Sequence, residues 1–268
     1  MRLICLSLTS LLVTVQLIHA DIIMGVVPQQ SPLKLQKVWQ PIAEYLSDKT
    51  GQKVIFKTER SIAEFEKVLY SGGYDFAYMN PYHYVVAHKK QDYRAKIRAD
   101  KNIRGILVMK KGSGIERLQS KDTRYLFPSP NAFAATLLTK HDLIQTFKVD
   151  PKVLQKARYV NSHDSVYKAV SRDIGDVGGG IERTFKNMND IQTKENLHIV
   201  HTTQAYPSHP FAFRDDLKEE TTQRIVDALL QMPTTLLQAL SIKALHQIDN
   251  SEYKSVEDLA VLLNIMPE

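Results

Sequence analysis

Asp21-Ile22-Ile23-Met24-Gly25-Val26-Val27-Pro28 is a short apolar run closed by a proline, and Gln29-Gln30-Ser31-Pro32 behind it is polar. Leu33, Val38, Ile42 and Leu46 then recur at helical spacing, with Lys34, Lys37 and Glu44 left for solvent. A second strand pattern follows at Val54–Lys57. Strand, polar turn, helix and strand make an α/β unit. The polar turn leaves side chains and backbone amides at the carboxyl end of a strand, the edge where open α/β sheets hold ligands.

Ahead of this unit lies a leader, residues 1–20. It has one cation (Arg2), an apolar region from Leu3 to Ile18 interrupted by Ser, Thr and Gln, and Ala20 at a cleavage point. This is the composition of a secretory signal, too short and broken for a membrane span. Export to the periplasm is expected, leaving a soluble mature chain from Asp21. The one cysteine of the 268 residues is Cys5, inside the leader. Disulfide scaffolds, cysteine-ligated zinc and thiol nucleophiles are thereby excluded from residues 21–268. The net charge of +6 favours anionic solutes through steering. Nucleic acid is not the expected partner, because the cations are scattered and the chain is exported.

Strand patterns continue at Phe76–Met79, Ile103–Met109, Tyr125–Phe127, Ala157–Val160, Val177–Gly179 and Leu197–Thr202. Helical patterns separate them at Pro32–Lys49, Ile62–Ser71, Pro81–Lys89, Asn131–Phe147 and Asp164–Arg172. Such alternation predicts mostly parallel sheets flanked by helices. From Asp215 the pattern is nearly all helical: Leu217–Gln231, Thr234–Leu245 and Ser255–Leu263. Two long extended runs, at Ile103 and Leu197, read as crossing strands between lobes. The expected division is 21–104 plus 199–268 for lobe 1 and 105–198 for lobe 2, with closure about the crossing strands as the means of trapping a small molecule.

Three strand-to-helix turns offer ligand groups. In Tyr78-Met79-Asn80-Pro81-Tyr82, Pro81 suits the first helical position with Asn80 as its cap. Tyr78, Asn80 and Tyr82 are the candidate contacts there. In Phe127-Pro128-Ser129-Pro130-Asn131, Ser129 is the expected cap, and the free amides from Asn131 to Phe133 with the positive helix end form a ready anion site. In Asn161-Ser162-His163-Asp164, Ser162 or Asn161 caps and His163 can donate to an oxyanion. Tyr206-Pro207-Ser208-His209-Pro210, a stiff turn, brings His209 or Ser208 to the lobe interface. Gly178-Gly179-Gly180 permits close backbone approach but lacks the Lys-Ser or Lys-Thr of a phosphate-cradling loop.

Gly25-Val26-Val27-Pro28, Tyr74-Asp75-Phe76-Ala77-Tyr78, Pro128-Ser129-Pro130-Asn131, Ser162-His163-Asp164 with Ala169-Val170, and Pro207-Ser208-His209-Pro210-Phe211 together occur in a telling order. The set resembles the phosphonate/phosphite-binding proteins of bacterial ABC importers and covers nearly all of the mature chain. The resemblance implies a two-lobed type II periplasmic-binding-protein fold with two crossing hinge strands. It implies an anion held between lobes by a helix N-terminus, hydroxyl side chains and a histidine, then delivered to an importer permease. Three departures stand out. The family's Ser-Thr-Ser turn is replaced by Pro130-Asn131-Ala132, its aromatic in the first crossing strand by Ile103-Arg104, and its acidic or small residue in the last turn by His209. Losing two or three charge-assisted donors, at about 1.5–3 kcal/mol each, alters what the site prefers. A carboxylate or other small polar solute, sensed for a membrane-bound signalling protein, is therefore the alternative to import of a phosphonate, phosphite or phosphate.

Catalysis is not expected. His163, Asp164 and Ser165 are sequence neighbours and cannot face one another as a triad must. Neither Gly-x-Ser-x-Gly nor His-Glu-x-x-His occurs, and no cofactor or metal site is implied. The expected protein is a monomeric binder using Tyr78, Asn80, Tyr82, Ser129, Asn131, His163 and His209.

Overall fold

The computed structural model describes residues 20–266. The leader expectation therefore falls almost wholly outside the described residues. Strands β1 (Ile22–Val26), β2 (Val54–Lys57), β3 (Phe76–Tyr78) and β4 (Arg94–Ala99) are followed by β5 (Gly105–Lys110) and β6 (Tyr125–Phe127). Then come β7 (Arg158–Tyr159), β8 (Val177–Ile181), β9 (Leu197–Thr202), β10 (Pro210–Phe213) and β11 (Leu245–Gln247). They form two sheets, ordered β11-β4-β10-β3-β1-β2 and β7-β6-β8-β5-β9. Helices pack against both sheets; one apolar cluster belongs to the first sheet and two to the second, and a fourth, holding Ala77 and Ala95 with Phe133 and Ile181, spans the two. No described helix is long and apolar enough to cross a membrane.

The opening unit forms as its residues dictate. Pro32 occupies the start of helix Pro32–Thr50, and Leu35, Trp39, Ile42, Ala43 and Leu46 form its buried stripe. Gly51, in the left-handed region at φ 67°, ends it by returning its amide to Ser47 O. Met24 of β1 lies between Phe56 and Phe76 in parallel register. The chain's last third returns to this sheet, where Tyr45 bonds the Ala228 carbonyl at 2.9 Å. Two connecting segments pass between the sheets side by side, held by reciprocal backbone bonds of Ile103 and Tyr206 at 2.8 and 3.0 Å.

The sheets are more mixed than the alternation implied. Pairings around β1 and β6 are parallel, but β10 lies antiparallel to β3 and β4, β11 to β4, and β5 to β8 and β9. Three of these strands, β4, β10 and β11, lie where the sequence reading placed no strand. Arg94–Ala99 alternates, but with Arg and Lys on its outer face, and β10 begins with proline. The helix expected over Thr234–Leu245 stops at Ala239, and Leu245 enters β11. The helix expected over Asn131–Phe147 begins later, at Phe133, as a wide π turn to Leu138 before continuing as α to Gln145.

Candidate functional site

The carboxyl ends of β1, β3, β6, β7 and β8 converge between the sheets. At the end of β3, Asn80 accepts the His83 amide at 2.8 Å, which caps helix Pro81–Gln91. Its side-chain nitrogen donates across the cleft to the Asn131 carbonyl at 3.2 Å. Asn131 in turn donates from its own side chain to Glu66 at 3.2 Å, and the other Glu66 oxygen lies 3.0 Å from the fully buried His83. Asn131 is thus gripped twice from the opposite sheet.

The turn after β6 corrects the expectation for Ser129. Ser129 is buried, but it does not cap the helix: its carbonyl accepts from the Ala132 amide at 3.3 Å and the Thr136 hydroxyl at 2.7 Å. These bonds coil residues 129–132 into a turn, so the helix starts at Phe133 with Ala132 at the cap and no side-chain cap bond. The sheet allows this start to come unusually close. A Cβ on Gly105 would sit 2.1 Å from Ala134 O, and one on Gly179 would sit 2.0 Å from Ala135 O. The first amides of such a helix have no intrahelical partner.

After β7, Ser162 is the cap, accepting the Ser165 amide at 3.1 Å. His163 is buried, with Nδ1 3.0 Å from the Thr184 hydroxyl and its amide donating to Gln29 O at 3.4 Å across the cleft. His209, equally buried, stacks on Tyr78 with centroids 5.2 Å apart and places Nε2 2.5 Å from Gln29 Nε2. Tyr78 accepts a bond from Arg183 at 3.1 Å, again between the sheets. Burial pushes His163 down to about 3, with the Arg183 charge adding to it. Burial also holds His209 well below the ordinary histidine value, with Arg183, His83 and His163 contributing. Both imidazoles are neutral at physiological pH.

A small hollow lies at the meeting point. Asn80, His163, His209 and Gln29 line it with Ala132, Phe133, Ala134 and Ala135. Its free volume of about 10 Å³ is room for roughly one water. Two larger cavities flank it, of about 140 and 340 Å³. Tyr78 lines the larger of these. Ser129 and Asn131 belong to the turn that carries the hollow's alanines. Tyr82 is not brought to this place: its hydroxyl donates to the Ile265 carbonyl at 2.6 Å, at the far end of the chain. Gln29, Arg183, Thr184 and Glu66 were not singled out by sequence. Gln29 stood in the quoted polar turn, and Arg183 follows a strand end, but neither signal distinguishes a cleft residue from a surface one. Among the described residues no group of three or more His, Cys, Asp or Glu is arranged to hold a metal.

The chain belongs to the periplasmic substrate-binding proteins of ABC phosphonate transporters, whose family profile matches residues 24–253. No curated protein sequence matches it. Among solved structures, it is similar to a binding protein component of an ABC phosphonate transporter from Pseudomonas aeruginosa (TM-score 0.84, 17% identity), covering 91% of this chain and 86% of that one. It is similar too to PhnD1 from Prochlorococcus marinus in complex with methylphosphonate (TM-score 0.83, 19% identity), covering 92% and 99%. A Xanthomonas citri protein bound to chloride shares the fold at TM-score 0.71 and 14% identity, covering 91% and 97%. These likenesses establish the two-lobed periplasmic-binding fold.

Proposed function

We propose that the chain captures a small phosphonate-, phosphite- or phosphate-like anion between its lobes and, as a periplasmic monomer, hands it to the permease of an ABC importer. In this reading lobe 1 is 21–104 plus 199–268, lobe 2 is 105–198, and the paired segments around Ile103 and Tyr206 are the hinge. The observation that carries it is the hollow where the uncapped start of helix Phe133–Gln145 faces Asn80, His163 and His209. Backbone amides and a positive helix end favour an oxyanion, and a neutral imidazole can donate to it. In the tautomer where the Thr184 hydroxyl donates to Nδ1 of His163, Nε2 carries the proton and is the ring atom that can donate to a ligand. Ser129 and Asn131 contribute by shaping the turn, Tyr78 by backing His209, and Tyr82 serves packing.

Admission of the anion requires the lobes to part, because the hollow holds no more than about one water. The contacts broken and remade are Asn80 to Asn131, Tyr78 to Arg183 and Gln29 to His163. Closure links these contacts to occupancy, since a bound anion favours the arrangement in which both lobes touch it. No catalytic step is assigned.

The test is calorimetric titration of the mature chain with methylphosphonate, phosphite and phosphate, alongside thermal unfolding. At least one should bind with one-to-one stoichiometry and raise the unfolding midpoint. His163→Ala should weaken that binding by roughly 10- to 100-fold, the loss of one charge-assisted bond. No binding of any of the three, or an unchanged affinity in the variant, rejects the reading.

A further inference from the structure

The hollow opens toward charge. Ile103 and His209 line both the hollow and the 140 Å³ cavity, and Gln29 lines both the hollow and the 340 Å³ cavity. The shared residues place both spaces beside the hollow, as room for a substituent. Arg183 lines both of them. Around the 140 Å³ cavity Lys101, Arg104 and Lys186 join Arg183, against a single carboxylate, Glu182, which is already engaged by Lys186. Around the 340 Å³ cavity stand Lys34, which lies 3.9 Å from Asp164, and Arg183, with no carboxylate in the lining itself. In either space a substituent meets Arg183.

Resting on the phosphonate-capture reading, we propose that Arg183, supported by Lys101 and Arg104, selects ligands whose substituent carries a second anionic group and rejects those carrying an ammonium. Arg183 is held in place by its bond to Tyr78 at 3.1 Å and lies on the helix that begins directly after β8. Its planar fork suits a carboxylate or a second phosphoryl group, which it can engage through two parallel bonds. An ammonium substituent would lie among these cations with only Glu182 to answer it, and like charges in a partly desolvated cleft repel strongly. The preferred ligands are thus phosphonocarboxylates or diphosphoryl compounds rather than aminoalkylphosphonates.

Competition calorimetry on the mature chain with methylphosphonate, phosphonoacetate and 2-aminoethylphosphonate tests this. Phosphonoacetate should bind at least tenfold more tightly than 2-aminoethylphosphonate, a difference of about 1.4 kcal/mol. Arg183→Gln should shrink that ratio at least fivefold, and the milder, exposed Lys101→Gln should shrink it about twofold, which serves if the arginine variant fails to fold. Equal or tighter binding of 2-aminoethylphosphonate overturns the proposal, as does a ratio unmoved by either substitution. If methylphosphonate binds and the ratio is one, only this selectivity falls. If none of the three binds, the capture reading falls and takes it along.

Discussion

Two turns face each other across the cleft, and both join a strand to a helix through proline and a polar residue. At Asn80-Pro81 the asparagine side chain takes the His83 amide, and the helix starts at once. At Ser129-Pro130 the serine side chain makes no cap, its carbonyl is taken by Ala132 and Thr136, and the helix starts three residues after the proline with bare alanines. The first turn satisfies its own donors and uses the remaining amide of Asn80 to hold the opposite lobe. The second leaves donors over. A capped end is a structural joint, whereas the uncapped end facing the cleft is where the proposed reading seats the anion.

If the histidines flanking the uncapped end are buried neutral, acid should expose them. Both fold with affinities for protons below the value of about 6.5 of an unfolded histidine. The unfolded chain therefore binds more protons as pH falls below that value, and the stabilisation present above it drains away toward acid. At about 1.4 kcal/mol per pH unit per histidine, roughly 2–4 kcal/mol should be lost between pH 7 and pH 5. Denaturant titration across that range measures it, and saturating methylphosphonate should reduce the loss by holding an imidazolium. A flat profile would mean these rings are solvated and the cleft is wet.

Next in size is the close approach that lets the uncapped end sit against its sheet. Gly179→Ala places a Cβ within 2.0 Å of Ala135 O, so the turn must move. Overpacking of this kind costs about 1–3 kcal/mol, and methylphosphonate binding should fall with it. A variant as stable as the parent would show that the turn has slack.

The smallest effect separates the turns directly. Asn80→Ala and Ser162→Ala should each lose about 1 kcal/mol of stability, the usual value of a cap. Ser129→Ala should lose less than the two caps, about 0.5 kcal/mol, because its side chain makes no cap bond and the turn is held through its carbonyl. Equal losses at all three positions, measured by urea unfolding, would erase the distinction.

The legible parts of this molecule were those fixed by neighbours in the chain. β2, β6 and β9 fall where apolar spacing places them, and Asn80 and Ser162 cap as their residue types predict. Ser129 was misplaced because Ser-Pro is an equally good cap or turn locally, and Thr136, seven residues on, decides between them. Tyr82 was read as a cleft residue because it follows Asn80 closely; its hydroxyl instead bonds the carbonyl of Ile265, a partner 183 residues away.

Amino-acid order alone settled the α/β alternation, the strand ends that bear polar turns, and the absence of cysteine chemistry after residue 20, since these depend on short-range periodicity and composition. Folding in three dimensions settled the antiparallel β4, β10 and β11, the width of the helix start at Phe133, and the arrival of Arg183 beside Tyr78 from a point 105 residues away. Such features arise from pairing between distant segments, where the deciding contact is made by a partner that local pattern does not contain.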